Sequence, residues 1–283
     1  MADVIIGNPW QALRRHTPAH LGLGRAGVSV PTSSHLAFSV AHALARDAVH
    51  ARLDVAALTS EIEALGLRTV AVRSRATDRV AYLQRPDLGR QLNAEDEARL
   101  RGLDSGAPCG PADGGDIGQQ TGSSATRHDV VFVLADGLSS PAAQRHGHVV
   151  IAEVVSRLRR DARSWRIGPV VIAEQARVAL GDPIGAALDA AITVVLIGER
   201  PGWSAPDSLG IYVTWAPRPG RLDAERNCLS NVRPDGLPPV VAAERLGTLL
   251  EDIRTRRASG IHVKDEQPAP EQLLTPPFLI GDV

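Results

Sequence analysis

Lysine is nearly missing from this chain. Of its 31 Lys and Arg residues only Lys264 is a lysine. A GC-rich genome accounts for the bias, yet the chemical consequence stands. Schiff-base chemistry on pyridoxal phosphate and phosphate capture by a P-loop both need a lysine set into a site. Lys264 lies in a Pro- and Glu-rich C-terminal stretch, which argues against both. Cysteine is almost as scarce. Cys109 and Cys228 are the two present, with no CxxC, too few for an iron–sulfur cluster or a thiolate zinc site. So few thiols fit a reducing cytosol. Long apolar runs are missing too. None reaches the roughly 18–20 residues of a membrane span, and MADVIIGNPWQALRRH lacks the apolar centre of a secretory signal. Neither sign of charge dominates: 31 basic residues face 32 acidic ones, a net charge of −1. That balance gives no general attraction to nucleic acid or anionic membrane.

What is present suits a folded protein. The chain has 283 residues, 43% of them apolar, enough for one large domain or two modest ones. Residues 1–103 read as a smaller, mostly helical region. Ser33 or Ser34 is expected to cap a helix to about His50, and a second helix covers 54–65, with Gly66 after it. Residues 68–72 and 79–83 read as short strands, and 87–103 as a helix. Residues 104–128 are Gly-, Ser-, Pro- and Asp-rich and read as a flexible insertion. Residues 264–283 read as a loose, disordered tail in compositional terms.

Residues 129–263 carry the clearest pattern. DVVFVL (129–134), PVVI (169–172), AITVVLI (191–197) and GIYVTW (210–215) are short apolar runs, as buried strands require. Ser140 followed by Pro141 marks a helix start reaching about Arg160, and Asp182-Pro183 marks a shorter one. Residues 240–257 form a closing amphipathic helix. Strands alternating with helices predict an α/β fold, a mainly parallel sheet with helices on both faces. Such sheets bind ligands beyond their C-terminal strand edges. The loops at 135–140, 173–182, 198–208 and 216–238 are therefore the places to look.

Three motifs suggest chemistry but read better as structure. Gly22-Leu-Gly24-Arg-Ala-Gly27 matches GxGxxG, but no strand leads into it and no helix leaves it, so a tight turn is the better reading. Ser139 in GLSSP sits like a nucleophile elbow, yet Pro141 stands where a small residue is needed. A serine hydrolase using Ser139 is kept as an alternative, with His146, His148 or His262 as its base. His146 and His148, two apart on a helix, do not share a face for metal binding and read as surface residues. GERPG (198–202) and DAERNCLSN (223–231) are different: polar, Gly-bearing segments in expected strand-end loops, where binding sites form.

GERPG, PDSLGIY (206–212), DAERNCLSNVRPDGLPP (223–239) and RRASGI (256–261) resemble the small subunit of ethanolamine ammonia-lyase. GRAG (24–27), LQRPDLGRQL (83–92) and VLADGLSS (133–140) fit the same family in the same order, so the resemblance covers about residues 8–263. It implies a Rossmann-like domain, over 129–263, that covers the lower face of base-on adenosylcobalamin. It also implies a large subunit that holds ethanolamine, in a higher hetero-oligomer that makes acetaldehyde and ammonia. Cofactor-binding positions carry over onto Val178, Glu199 and Cys228. Gln175-Ala176-Arg177-Val178 departs from the family's aromatic-Gly-Arg-Val run, which leaves Val178 a backbone role. Arg177, Arg200, Arg221 and Arg226 are candidates for the cofactor's phosphate. None of the nine histidines has Asp two residues before it, so the D-x-H-x-x-G motif of base-off cobalamin proteins is missing. The expected location is the bacterial cytoplasm; the short N-terminal extension does not favour microcompartment targeting. A non-catalytic scaffold subunit is the remaining alternative.

Overall fold

The computed structural model describes residues 5–17, 19–103 and 128–263. The expected insertion (His128 apart) and the expected tail lie outside the described residues. Strands β1 (Ile5–Ile6) and β2 (Arg25–Ala26) pair antiparallel around a 3₁₀ stretch, Pro9–His16. The glycine motif builds the turns beside β2. Gly22, Gly24 and Gly27 have positive φ, and a Cβ at Gly24 would lie 2.8 Å from the Ile6 carbonyl oxygen. The next helix, α1 (Thr32–His50), starts only beyond Pro31, so the glycine motif does not itself open a helix. Ser33 and Ser34 fall inside α1 rather than capping it. Ala41, Ala45 and Ala48 face inward, whereas Leu36, Val40 and Leu44 are exposed.

Helix α2 (Val55–Glu63) is capped by the Asp54 carboxylate, which accepts from Ala57 N at 3.0 Å, and it buries Leu58 and Ile62. Strand β3 (Thr69–Arg73) follows. The strand expected over 79–83 is instead a helix, α3 (Arg79–Gln84). Asp78 accepts from Ala81 N at 2.8 Å, and this cap outweighs the local β-pattern. The helix expected over 87–103 breaks into a 3₁₀ turn, Leu88–Arg90, and α4 (Ala94–Gly102), because Asn93 caps a new start by accepting from Asp96 N at 2.9 Å.

Then come β4 (His128–Ala135), α5 (Ser140–Ala142), a π-turn at Ala143–Gly147, and α6 (His148–Arg160). They are followed by β5 (Val170–Glu174), α7 (Gly181–Ala187), β6 (Ala190–Gly198), β7 (Leu209–Trp215), β8 (Arg226–Val232) and α8 (Pro239–Arg256). Ser139, not Ser140, holds the position before α5, and the Ser140 hydroxyl donates to the Ala51 carbonyl at 2.9 Å. Asp182 lies inside the first turn of α7 rather than before it.

Six strands form one sheet in the order β3-β5-β4-β6-β7-β8. The first four are parallel, but β7 runs antiparallel to β6 and β8 antiparallel to β7. The α/β character is as expected, and the sheet is mixed. No helix interrupts residues 199–208; without a crossover the chain can only return antiparallel. The expected loop over 216–238 contains β8, an edge strand whose sequence RNCLSNV turns Leu229 and Val232 inward and leaves Cys228 and Ser230 exposed. Polar side chains on an edge strand hide its pattern.

Helices cover both faces. Phe132, Val194 and Ile211 meet Leu58 of α2, Ile151 of α6 and Leu246 of α8 on one side. Val131, Val133 and Val195 meet Leu100 of α4 and Ile184 of α7 on the other. Double coverage explains why β4 and β6 read as continuous apolar runs. Among the described residues no helix is long and apolar enough to cross a membrane.

Candidate functional site

The chain leaves β4 toward the α6 face and β5 toward the α7 face, and the crevice between those strand ends is where such sheets take ligands. Here it is filled. Asp136, at the end of β4, accepts from Gln175 N at 2.8 Å, Ala176 N at 2.9 Å and Arg79 Nη1 at 3.3 Å. Arg79 also donates to the carbonyls of Gly137 at 2.9 Å and Val49 at 2.6 Å. The Arg79 and Arg177 guanidinium carbons lie 4.7 and 4.3 Å from the centre of the Tyr82 ring. Burial pushes the Asp136 carboxyl up to about 6, against its backbone N–H donors and Arg79. This cluster anchors the bend at Gln175, whose φ is +53°, and so places the 3₁₀ turn Val178–Leu180 beyond it.

The open site lies at the corner of β6, β7 and β8. Glu199 follows β6, and its carboxylate accepts from the hydroxyls of Ser208 and Ser230 and from Asn231 N at 3.2 Å. A β-bulge makes this possible. Ile211 pairs with Leu229 and Leu209 with Val232, so Ser230 and Asn231 together face a single β7 residue, Gly210. Asn231 takes the left-handed conformation, φ +58°, one of the few non-glycine types that does so readily. A Cβ at Gly210 would lie 3.0 Å from Glu199 Oε1; glycine leaves the carboxylate its place.

Below this brace Tyr212 pairs in register with Cys228. Tyr212 is half-buried and Cys228 exposed. Desolvation raises the Cys228 thiol pKa, opposed by the neighbouring Tyr212 and helped by the charge of Glu199. Val178 and Tyr212 pack against the same apolar cluster on the α7 face. Val178, Glu199 and Cys228 therefore belong to one face of the sheet, the first two beyond parallel strand ends. Gly198 does not serve close ligand approach. It is buried, and a Cβ there would lie 2.0 Å from the Ser139 carbonyl oxygen.

The arginine candidates separate. Arg226 forms two 2.7 Å bonds to Asp182 and one of 2.9 Å to Thr214, all buried. Burial outweighs this partner and still raises the Asp182 carboxyl pKa. Arg177 is held over Tyr82, and Arg221 bonds to Glu225 and the Ala216 carbonyl. Arg200 is exposed. Arg221 also lines, with Arg75 and Arg90, a cleft of about 510 Å³ beside Ala179.

The hydrolase constellation does not assemble. Ser139 is fully buried and donates to the Pro206 carbonyl at 2.8 Å. His146 is buried rather than on the surface; its Nε2 lies 3.5 Å from Asp207, and desolvation lowers its pKa. His148 turns elsewhere, toward Glu61 at 3.3 Å. Missed from sequence were Ser208 and Tyr212, whereas Ser230 lay within the DAERNCLSN segment already singled out. The only signal for Ser208 and Tyr212 was their place in PDSLGIY (206–212), which follows the GERPG loop.

Fold and site define an α/β protein whose last strands present an open face edged with polar groups. Among the described residues no self-contained catalytic centre accompanies that face. The family model described as ethanolamine ammonia-lyase light chain (EutC) matches residues 7–264, and the chain belongs to that family. It is 50% identical over 259 residues to the ethanolamine ammonia-lyase small subunit of Azotobacter vinelandii, covering 92% of this chain and 89% of the relative. The small subunit of Ralstonia nicotianae is 48% identical over 263 residues, with 93% and 90% covered. That of Rhodopseudomonas palustris is 50% identical over 254 residues, with 90% and 89% covered.

Proposed function

We propose that this chain is the small subunit of an adenosylcobalamin-dependent ethanolamine ammonia-lyase. It acts with a large subunit in a bacterial, cytoplasmic hetero-oligomer that converts ethanolamine to acetaldehyde and ammonia. In this reading residues 129–263 are a Rossmann-like cobalamin-binding domain, and Val178, Glu199 and Cys228 touch the cofactor. The observation that carries it is the uncovered face at Glu199, Tyr212 and Cys228. A corrin is a broad apolar ring edged with amide arms, and this face offers an aromatic ring edged with polar groups. Glu199 fits an amide arm. Its two oxygens have about four acceptor sites, three are used, and Oε1 bonds only to Ser230. When bound, the cofactor supplies the radical chemistry. This chain's residues hold and orient the ring and keep water from its lower face.

The test is to mix the purified chain with the large subunit and follow the visible spectrum of added cobalamin. A saturable spectral change that requires both subunits is expected. Full binding by the large subunit alone would leave this chain as a scaffold and overturn the reading. The Ser139 alternative has no supporting observation, since that hydroxyl is buried and engaged.

A further inference from the structure

On β7 the odd-numbered residues Leu209, Ile211 and Val213 join the apolar core with α8. The even-numbered Gly210, Tyr212 and Thr214 therefore face the side on which α7 lies. Helix α7 seats against β6, with Gly181 so close that a Cβ would lie 2.4 Å from Val195 Cγ2. Tyr212 pairs with that same Val195 on one side and with Cys228 on the other. Beyond α7 the face is open: Tyr212 stays partly exposed, and Cys228 and Ser230 are exposed. A tyrosine ring at such a place presents a flat apolar surface with a polar tip. A Cβ at Gly210 would lie 3.1 Å from Tyr212 Cε2 as well as 3.0 Å from Glu199 Oε1, so glycine keeps ring and carboxylate side by side.

We propose that Tyr212 is a further cobalamin-contacting residue: its ring floors the site between Glu199 and Cys228. The proposal rests on the cobalamin reading and adds a residue to it.

The test uses the two-subunit complex titrated with cyanocobalamin, together with alkylation of Cys228 in a Cys109→Ser background. Tyr212→Ala removes the floor and should weaken cyanocobalamin roughly tenfold, the loss of about 1.4 kcal/mol. Tyr212→Leu, which fills the space without an aromatic face, should weaken it similarly and carries the test if the alanine variant does not assemble. Tyr212→Phe keeps the ring, so affinity should stay within about threefold. Unchanged affinity in Tyr212→Leu, alongside weakened binding in Glu199→Gln, would overturn the role of Tyr212 alone. If neither variant changes affinity and cyanocobalamin does not protect Cys228 from alkylation, the cobalamin reading of this face fails with it.

Discussion

Glu199, Arg226 and Asp136 are three charged residues with three different duties. Glu199 braces the corner of β6, β7 and β8 through Ser208, Ser230 and Asn231 N. Glu199→Gln sets an amide donor against donors it now accepts from. Bonds to a charged group are worth about 1.5–3 kcal/mol, so cobalamin affinity of the complex should fall roughly ten- to a hundredfold. Titration that finds the native affinity would remove Glu199 from the site. Arg226 is structural. Arg226→Ala leaves Asp182 buried without its charge partner and should cost about 3–5 kcal/mol. Urea unfolding of the isolated chain measures it, and a loss below 1 kcal/mol would mean that water reaches the pair. Asp136 adds a pH dependence. Its folded pKa, about 6, lies above the ordinary 3.8, so the folded state holds that proton more tightly than the unfolded one. Stability on its account is highest below about pH 4 and falls as pH rises through about 6. Relative to Asp136→Asn, the native chain should therefore gain stability between pH 7 and pH 4.5. A difference that is flat across that range would place the Asp136 pKa near its ordinary value.

At the scale of elements, the bulge in β8 matters most. It turns Ser230 and Asn231 onto Glu199 by keeping Asn231 at φ +58°. Asn231→Val puts a β-branched residue there, at a cost of roughly 1–2 kcal/mol, whereas Asn231→Gly keeps the backbone. The valine variant should melt several degrees lower and bind cobalamin more weakly, and the glycine variant should stay close to native in both. Equal melting of the two would show that the left-handed turn is not retained in solution. The elements also show where sequence patterns mislead. VAYL in α3 alternates like a strand, but Asp78 caps it and its single buried residue is Tyr82. RNCLSN in β8 looks like a loop because an edge strand shows polar side chains to solvent. In contrast, β4 and β6 were evident from uninterrupted apolar runs, since a strand covered on both faces must be apolar on both.

For the whole molecule, the expectation is of a subunit rather than an enzyme in its own right. Ser139 is tied to Pro206, and His146 faces Asp207 rather than a nucleophile. The isolated chain with adenosylcobalamin should therefore form no acetaldehyde from ethanolamine, and a coupled dehydrogenase assay reads this directly. Turnover by the chain alone would overturn that expectation. Sequence by itself determined the α/β class, most strands and helices, the family, and the two polar segments around which the candidate site is built. Those features are local: apolar runs, caps and short motifs are read along the chain without knowing what lies across space. Only the tertiary structure decided that the sheet is mixed and that Asp136 closes the crevice between β4 and β5. It alone paired Arg226 with Asp182 and aligned Tyr212 with Cys228 across two strands. These depend on which distant segments meet, and in which register. A one-residue slip between β7 and β8 would turn Cys228 to the opposite face, with no change in the sequence to announce it.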